Sequence, residues 1–323
     1  MKQLGQYGPP QHVIAHLSDP HLLAGGVLQY AAVDTEAGLR LALDRLAAVD
    51  PPPQALVFTG DLADKAEPAA YARLREIVEP AAAAMGAEVV WVMGNHDERS
   101  DYSLGLFGEA SESPQDRVHE IDGLRIISLD TSVPGYHHGA LSHEQLAWLA
   151  EVLAAPAEYG TLLALHHPPL PLPMLRAAEL IELLDQDRLA AVLEGSDVRG
   201  ILAGHLHFST YSLFAGIPVS VASATCYTSD PAPVERFVSG VSSGQAFTMV
   251  HVYADRLVHT IVPLDRGVEV SAVGLDIMAA VEDLSPEEAR ELASNKTSPF
   301  NARHELHEVP DQERSDESPV MAP

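Results

Sequence analysis

Short apolar runs alternate along the chain with longer stretches whose apolar residues recur at helical spacing. The run 55–59 (ALVFT) is continuously apolar, which is typical of a strand buried on both faces. The stretch 35–49 instead places Leu39, Leu43 and Leu46 three to four positions apart, which predicts a helix. The predicted strands are 12–17, 55–59, 88–93, 124–129, 161–165, 200–203, 208–214, 217–222, 246–253 and 257–263, and the predicted helices are 35–49, 67–85 and 142–153. This alternation indicates an α/β fold with crossover connections between strands.

The number of predicted strands exceeds what one ordinary open sheet holds, so two packed sheets are expected. We divide the chain into a short N-terminal extension (1–10), a domain (11–264) and a C-terminal stretch (265–323). The last stretch contains 14 acidic and five basic residues and lacks a strand pattern. Ser285 and Pro286 could begin one short helix there, and the remainder is predicted to be an acidic, largely disordered tail.

The charge of the chain narrows the choice of partners. With 19 Lys and Arg against 46 Asp and Glu, the net charge is −27. Such a surface repels nucleic-acid backbones and anionic membranes, so we expect neither as a partner. An anionic substrate would need a local source of positive charge.

Features tied to cellular location point to the cytoplasm. The only cysteine, Cys226, cannot form an intrachain disulfide, which fits a reducing compartment. The first ten residues contain no apolar core of signal-peptide length. The longest apolar stretch, 81–94, is interrupted and too short for a membrane span. A soluble, cytoplasmic protein without an integral membrane segment is therefore expected.

Potential metal ligands follow five of the predicted strands. Any one of these clusters could be turn polarity or a buried core histidine, but five in this position favour a site. Carboxylate, amide and imidazole donors suit manganese, iron or zinc. In an extended segment, residues two apart point to the same side, so each D-x-H or H-x-H pair could face one pocket. Seven such donors are too many for one tetrahedral site and match two metals that share a carboxylate. The clusters are Asp19-Pro20-His21, Gly60-Asp61, Gly94-Asn95-His96-Asp97, His166-His167 and Gly204-His205-Leu206-His207.

Other residues are open to two interpretations. Arg99 could contact a substrate or cover the surface, and Cys226 is interpreted as packing. His137 and His138 lie in a glycine-flanked loop and could line a pocket or be solvated. Phe208 and Tyr211 could stack on a base, although core packing is the default interpretation.

Together, the motifs D-x-H, G-D, G-N-H-D, H-H-P and G-H-x-H resemble the signature of the calcineurin-like metallophosphoesterases, over Asp19 to His207. Within that superfamily the chain is similar to the bacterial class III cyclic nucleotide phosphodiesterases, the mycobacterial members in particular. The closer resemblance lies in segments such as HLSDPH, WVMGNHDER and GIPVSVASATCYT. It implies a four-layer αββα sandwich of two mixed β-sheets flanked by helices.

The resemblance also implies roles for individual residues. Asp19, His21 and His207 would hold one metal, Asn95, His166 and His205 the other, and Asp61 would bridge the two. His96 would act on the leaving group, with Asp97 orienting it, while His167 would lie behind the ligands. The residues expected to face the substrate are His21, Asp61, Asn95, His96 and His207.

The activity implied is hydrolysis of 3′,5′-cyclic AMP to 5′-AMP through in-line attack by a metal-bridging hydroxide. The metals would be iron with manganese, two manganese ions, or zinc, and a homodimer is implied by the family alone. A glycerophosphodiesterase, or another small-diester hydrolase, is the nearest enzyme alternative. A catalytically inactive scaffold is the alternative from a different class. Two bound transition metals per chain would argue against it.

Overall fold

The computed structural model describes residues 3, 5–233, 235–272, 274 and 276–304. These residues fall into two compact units, one of Pro10–Asp265 and one of the described residues before 10 and after 265. Among the described residues, none of the helices has the length and apolar character needed to cross a membrane.

Two large mixed sheets form the first unit. Sheet I has the strand order β13-β12-β1-β2-β3, and sheet II has the order β4-β5-β6-β7-β9-β8. Strands β1, β2 and β3 are parallel to one another, as are β5, β6, β7 and β9, while β12, β13, β4 and β8 are antiparallel to their neighbours. The strands are β1 (His12–Leu17), β2 (Ala55–Thr59), β3 (Glu88–Val92), β4 (Arg117–Ile121), β5 (Leu124–Leu129), β6 (Thr161–Leu165), β7 (Val198–Ala203), β8 (Thr210–Phe214), β9 (Ile217–Val221), β12 (Ala246–Val252) and β13 (Leu257–Pro263), with a separate two-stranded pair of β10 (Thr228–Ser229) and β11 (Gly240–Val241).

Helices cover the outer face of each sheet. On sheet I, Leu56 and Phe58 belong to the same buried cluster as Leu39 of α1 (Thr35–Leu46) and Leu74 of α2 (Pro68–Met85). This cluster also includes α3 (Arg99–Phe107), whereas the buried cluster of sheet II includes α4 (His143–Leu153) and α5 (Gln186–Leu193).

A third buried cluster joins the inner faces of the two sheets. It contains Val57 and Val90 of sheet I and Ile126 and Leu162 of sheet II. Because β2 and β6 are buried on both faces, their sequences are continuously apolar. The layers therefore run helix, sheet, sheet, helix, and the predicted αββα sandwich is confirmed.

The predicted strands and helices of the first unit are all present, with ends shifted by up to three residues. Ser142 caps α4 as part of a capping box with Gln145. Helices α3 and α5 and strand β4 were not predicted. Strand β4 alternates exposed and half-buried residues at a sheet edge, so it carries no continuous apolar run.

The C-terminal stretch differs from the single helix expected there. Its described part contains α6 (Asp276–Glu282), α7 (Pro286–Ser294) and α8 (Pro299–His304). Ser285 and Glu288 form a capping box at the start of α7, so this helix begins where it was predicted. Ser298 links α7 to α8 by donating to Leu292 O and accepting from Asn301 N. The predicted disorder of 305–323 lies outside the described residues.

Candidate metal centre

The predicted ligands converge because they follow parallel strands whose carboxyl ends meet at one edge of the sandwich. Asp19, Asp61 and Asn95 follow β1, β2 and β3 of sheet I. His166 follows β6, and His205 follows β7, of sheet II. Loops at the carboxyl ends of neighbouring parallel strands are the usual place for a site in such sheets. All seven predicted ligands lie close together.

The route by which paired ligands reach the site differs from the one predicted. Asp19 and His21 have φ of 50° and 45°, and His205 and His207 have φ of 72° and 59°. These left-handed conformations, unusual for residues other than glycine, replace the extended segment assumed from the i, i+2 spacing. Both pairs reach the donor cluster through tight turns, so the extended conformation expected from their spacing is wrong. Asp61, at φ 50°, is a fifth such ligand.

Two glycines make room for the crowded carboxylates. A Cβ on Gly94 would lie 2.2 Å from the Asp61 backbone nitrogen, and one on Gly204 would lie 2.0 Å from Ser18 Oγ. Real side chains essentially never approach so closely, so any larger residue here would displace a ligand-bearing loop. The glycines in the G-N-H-D and G-H-x-H motifs therefore serve packing against the site.

The first group of donors consists of Asp19, His21, His207 and Asp61. His21 Nε2 lies 3.2 Å from His207 Nε2 and 3.4 Å from Asp61 Oδ2, and His207 Nε2 lies 3.5 Å from Asp19 Oδ1. Asp19 Oδ1 is buried with no hydrogen-bond partner among the described residues, while Asp19 Oδ2 accepts from Ser18 Oγ at 2.5 Å. An unpartnered carboxylate oxygen among imidazole nitrogens fits a cation.

The outer nitrogens of these imidazoles determine which atoms face inward. His21 Nδ1 donates to Asp64 Oδ1 at 3.0 Å, and His207 Nδ1 donates to Tyr227 O at 3.0 Å. Both partners are acceptors, so each Nε2 presents a lone pair when its ring is neutral. Two lone pairs 3.2 Å apart cannot bond each other and require a positive charge between them.

The second group consists of Asn95, His166, His205 and Asp61. His166 Nε2 lies 3.1 Å from Asn95 Oδ1, 3.2 Å from His205 Nδ1 and 3.4 Å from Asp61 Oδ2. His166 Nδ1 donates to Thr59 O at 2.7 Å and His205 Nε2 donates to Ile181 O at 3.0 Å. Here too the outer nitrogens are held by carbonyl groups, and the inner nitrogens face one point.

Asp61 Oδ2 is shared between the groups, since it is 3.4 Å from both His21 Nε2 and His166 Nε2. Burial raises the pKa of Asp61, but the charges of His166 and His21 outweigh it and hold that pKa well below its usual range. Burial lowers the pKa of His166, yet the charge of Asp61 raises it to about 9. The centre of the cluster thus attracts positive charge.

The donor spacing fits two transition-metal ions. Two ligands bound to one cation at about 2.1 Å, at right or tetrahedral angles, lie about 3.0–3.4 Å apart. The distances within each group, 3.1–3.5 Å between neighbouring donor atoms, match this spacing. Burial lowers the pKa of His205 to about 3 and that of His207 to about 4, so these two imidazoles are neutral, whereas His166, with its pKa raised to about 9, would release a proton when a cation binds. The cluster is compatible with a binuclear metal site.

His96 borders the cluster without joining either group. Its backbone N–H donates to Asp61 Oδ1 at 2.8 Å, and its Nδ1 donates to Asp64 O at 2.9 Å. The ring is 30% exposed and lines a cavity of about 230 Å³ above the donors. Because Nδ1 is engaged, Nε2 is the nitrogen available for a reaction in the cavity. All five residues predicted to face a substrate line this cavity.

Asp97 does not orient His96, contrary to the prediction. Its buried carboxylate accepts hydrogen bonds from backbone N–H groups of three residues and from a tyrosine hydroxyl, at 2.8–3.1 Å. These four donors surround the Asp97 carboxylate. The His96 ring instead donates to the backbone carbonyl of Asp64. Asp97 thus ties the loops after β2 and β3 to each other and to α2. The donors are Leu62 N, Ala63 N, Gly94 N and Tyr71 Oη.

The remaining candidate residues differ in whether they line the cavity. Arg99 donates to the buried Asp130 Oδ2 at 2.9 Å, so it supports a loop. His137 lines the cavity, where its Nδ1 accepts from Asn95 Nδ2 at 2.9 Å. His167 bonds Thr131 Oγ1 and His137 O, which occupies both of its ring nitrogens. Neither Phe208 nor Tyr211 lines the cavity.

Two contributors escaped sequence reasoning. Asp64, which lies in the G-D-x-x-D segment, orients the ligand His21, and only its position three residues after Asp61 could have indicated this. Tyr227 packs its ring 4.6 Å from that of His207 and lines the cavity. It directly follows Cys226 at the end of an apolar run, where nothing distinguishes it from a core tyrosine.

Comparisons with known proteins agree with this geometry. Residues 12–209 match the family model described as calcineurin-like phosphoesterase. A protein of Mycobacterium tuberculosis named cAMP/cGMP dual specificity phosphodiesterase is 56% identical over 80% of this chain and 81% of its own length. A probable cyclic nucleotide phosphodiesterase of Rhodococcus erythropolis is 53% identical over 82% of this chain and 88% of its own length.

Among solved structures, a dimetal phosphatase from Danio rerio superposes with a TM-score of 0.57 at 17% identity. The match covers 79% of this chain and 97% of that one, and it supports the fold alone. From the donor geometry, the matched family model and the relatives above 50% identity, we conclude that the chain belongs to the calcineurin-like phosphoesterase family.

Proposed function

We propose that this protein is a binuclear metal-dependent phosphodiesterase that hydrolyses 3′,5′-cyclic AMP, and related cyclic nucleotides, to the 5′-monophosphates. The observation that carries the proposal is the pair of donor groups sharing Asp61 Oδ2 at the base of an open cavity. The names of the two relatives above 50% identity support the choice of a cyclic nucleotide as substrate.

Two cations held by these donors would neutralise the phosphodiester and make a nucleophilic water available near neutral pH. The net charge of −27 otherwise disfavours an anionic substrate, and the two cations would supply the local positive field. Asp19, His21, Asp61 and His207 would hold one cation, and Asn95, His166, His205 and Asp61 the other. Asp64, Thr59, Ile181 and Tyr227 keep the ligand rings in place by accepting their outer N–H groups.

Hydrolysis adds water across the P–O3′ bond. The water oxygen bonds to phosphorus in line with the departing 3′ oxygen, which must gain a proton because an alkoxide is a poor leaving group. His96 is the proton donor in this proposal, through Nε2, since its Nδ1 is fixed on Asp64 O. Burial lowers the pKa of His96, but the nearby Asp61 charge and the hydrogen bond to Asp64 O raise it overall. These shifts favour a protonated ring.

Three finer points belong to the same proposal. The imidazole, carboxylate and amide donors suit iron with manganese, two manganese ions, or zinc. We also propose a homodimer, on the family resemblance, and a cytoplasmic location, on the single buried Cys226. Metal analysis, light scattering and cell fractionation would test the three points in turn.

A turnover screen in Mn²⁺ tests the activity. We expect kcat/KM for cyclic AMP to be higher than kcat/KM for glycerophosphodiesters. Cyclic GMP and 2′,3′-cyclic AMP define the range of accepted rings. Faster turnover of glycerophosphodiesters than of any cyclic nucleotide would contradict the proposal, and no turnover of any diester by protein with two bound metals would favour the inactive scaffold.

A further inference from the structure

A second cavity opens beside the metal centre. It has a volume of about 480 Å³, within the range of about 300–1,000 Å³ that is common for small-molecule sites. Tyr227, Ser229 and Val238 line both this side cavity and the cavity above the donors, so the two adjoin. None of the residues lining the side cavity is charged. Its chemistry therefore suits a neutral, flat group attached to a molecule whose anionic part lies on the metals.

Tyr227 stands where the two cavities meet, and its ring is fixed from several sides. The ring lies 4.6 Å from the His207 ring, and the Tyr227 carbonyl accepts from His207 Nδ1. Gly240 packs directly against it, since a Cβ there would lie 2.9 Å from two ring carbons. The position of this aromatic wall is thus set by a predicted metal ligand and by strand β11.

Tyr30 extends the wall from a strained turn. Gln29 and Val33 exchange two backbone hydrogen bonds of 2.9 Å, and between them Tyr30 and Ala31 have φ of 51° and 55°. Left-handed residues other than glycine cost free energy and persist where the surroundings hold them. The holding contact is Gln29, which is buried and donates to Asp64 Oδ1 at 2.7 Å.

This turn leaves the Tyr30 ring open to solvent. The side chain is 71% exposed, and its ring meets Tyr227 edge to face, with the centroids 5.6 Å apart and the planes at 76°. An exposed aromatic ring gains little from core packing, so packing does not explain the strain. The same Asp64 that anchors the turn also orients the ligand His21, which fixes Tyr30 relative to the donors.

We propose that Tyr30 and Tyr227 form the subsite for the base of a cyclic nucleotide, and that Tyr30 is a specificity-determining residue. This inference rests on the proposed function, because it assumes that a cyclic phosphodiester occupies the metal centre. The base would stack on the exposed Tyr30 ring and extend into the side cavity towards Val238. Stacking on an aromatic side chain suits any base, so both purine nucleotides would be accepted.

The test compares cyclic AMP with methyl riboside 3′,5′-cyclic phosphate, which is the same cyclic diester without a base. The measured quantity is the base preference, defined as kcat/KM for cyclic AMP divided by kcat/KM for the baseless analogue. We expect Tyr30→Ala to lower the base preference about 5- to 150-fold, mainly through KM for cyclic AMP. Tyr30→Phe retains the ring and should keep the wild-type preference.

Tyr136→Ala is the matched control, since Tyr136 is also an exposed tyrosine but lines neither cavity. Metal content and melting temperature, measured for each variant, separate lost stacking from misfolding. A base preference in Tyr30→Ala within twofold of wild type would overturn the inference. So would a larger effect of Tyr30→Ala on glycerophosphocholine than on cyclic AMP, since it would assign the rings to a quaternary ammonium group.

Failure of the proposed function would look different. In that case the wild-type protein, with both metals bound, would not hydrolyse cyclic AMP at all. If wild type hydrolyses cyclic AMP but shows no preference for it over the baseless analogue, the function stands and the base subsite is wrong.

Discussion

The floor and the wall of the site are built in opposite ways. The floor consists of the seven predicted ligands, and most of its polar atoms are buried and held by a specific partner. The wall consists of Tyr30, Tyr227 and Val238, and two of these side chains are more than half exposed. The floor follows five parallel strands, whereas the wall is carried by a turn and by the loops that precede β10 and β11.

The contrast separates two kinds of control over the reaction. A change in the floor alters charge and coordination, and it disturbs several donors at once because they share Asp61. A change in the wall removes apolar contact with a substrate and leaves the donors in place. Substitutions in the floor should therefore act on metal content and rate, and substitutions in the wall on KM and selectivity.

The largest effect is expected for Asp61→Ala. This change removes the oxygen that lies 3.4 Å from ligands of both groups, so both cations lose a shared anionic ligand. We expect kcat for cyclic AMP to fall about 10³-fold or more, with fewer than two metals per chain by elemental analysis. Asp44→Ala, on the exposed face of α1, is the control. Near-normal turnover with two bound metals would show that the groups are not bridged.

His96→Ala should separate proton donation from metal binding. We expect two bound metals and a loss of about 10²–10⁴ in kcat for cyclic AMP. A p-nitrophenyl diester has a leaving group of much lower pKa and needs little protonation, so its loss should be far smaller. Equal losses on both substrates would assign His96 to charge stabilisation, and a missing metal would make it a ligand.

Asp97→Asn tests whether Asp97 acts on the loops or on His96. An amide cannot accept from all four donors that surround the carboxylate, so at least one buried N–H loses its partner. We expect the free energy of unfolding in urea to fall by about 2–4 kcal/mol. Asp44→Asn serves as the exposed control. If stability is unchanged while the leaving-group dependence matches that of His96→Ala, the original prediction for Asp97 is restored.

The smallest effect is expected in the wall, for Val238→Ser. Val238 lines both cavities, and replacing its apolar surface should raise KM for cyclic AMP about two- to fivefold, without change in metal content or melting temperature. Phe237→Ser is the matched control, because Phe237 is exposed to a similar extent but lines neither cavity. Loss of metal in Val238→Ser would show that wall and floor are coupled.

The sequence predicts the floor better than the wall, and the reason is physical. The floor was predictable because ligand residue types follow apolar runs, and such runs give buried parallel strands whose ends must meet. The contacts near the floor that were not predicted join residues that are distant in sequence. Asp97 bonds Leu62 and Ala63, which lie 35 and 34 residues away, and no local pattern records that contact.

The wall was not predicted because Tyr30 and Ala31 adopt a backbone conformation that is unusual for their residue types. Gly25 and Gly26 would be the natural place for a turn, yet Tyr30 and Ala31 also adopt left-handed conformations. The base-stacking candidates considered from sequence, Phe208 and Tyr211, lie outside both cavities. Helices α3 and α5 were not predicted because they are short. Helix α3 has nine residues, of which three are buried, and α5 has eight, of which two are buried.

The central claim is that two cations, held by the seven donors, carry cyclic nucleotide hydrolysis. The most direct test strips the protein of metal and measures kcat for cyclic AMP as Mn²⁺ is returned in known equivalents per chain. We expect activity to rise until two equivalents are bound and then to stay constant, and we expect Asp61→Ala not to reach this plateau. Full activity with one bound equivalent, or none with two, would contradict it.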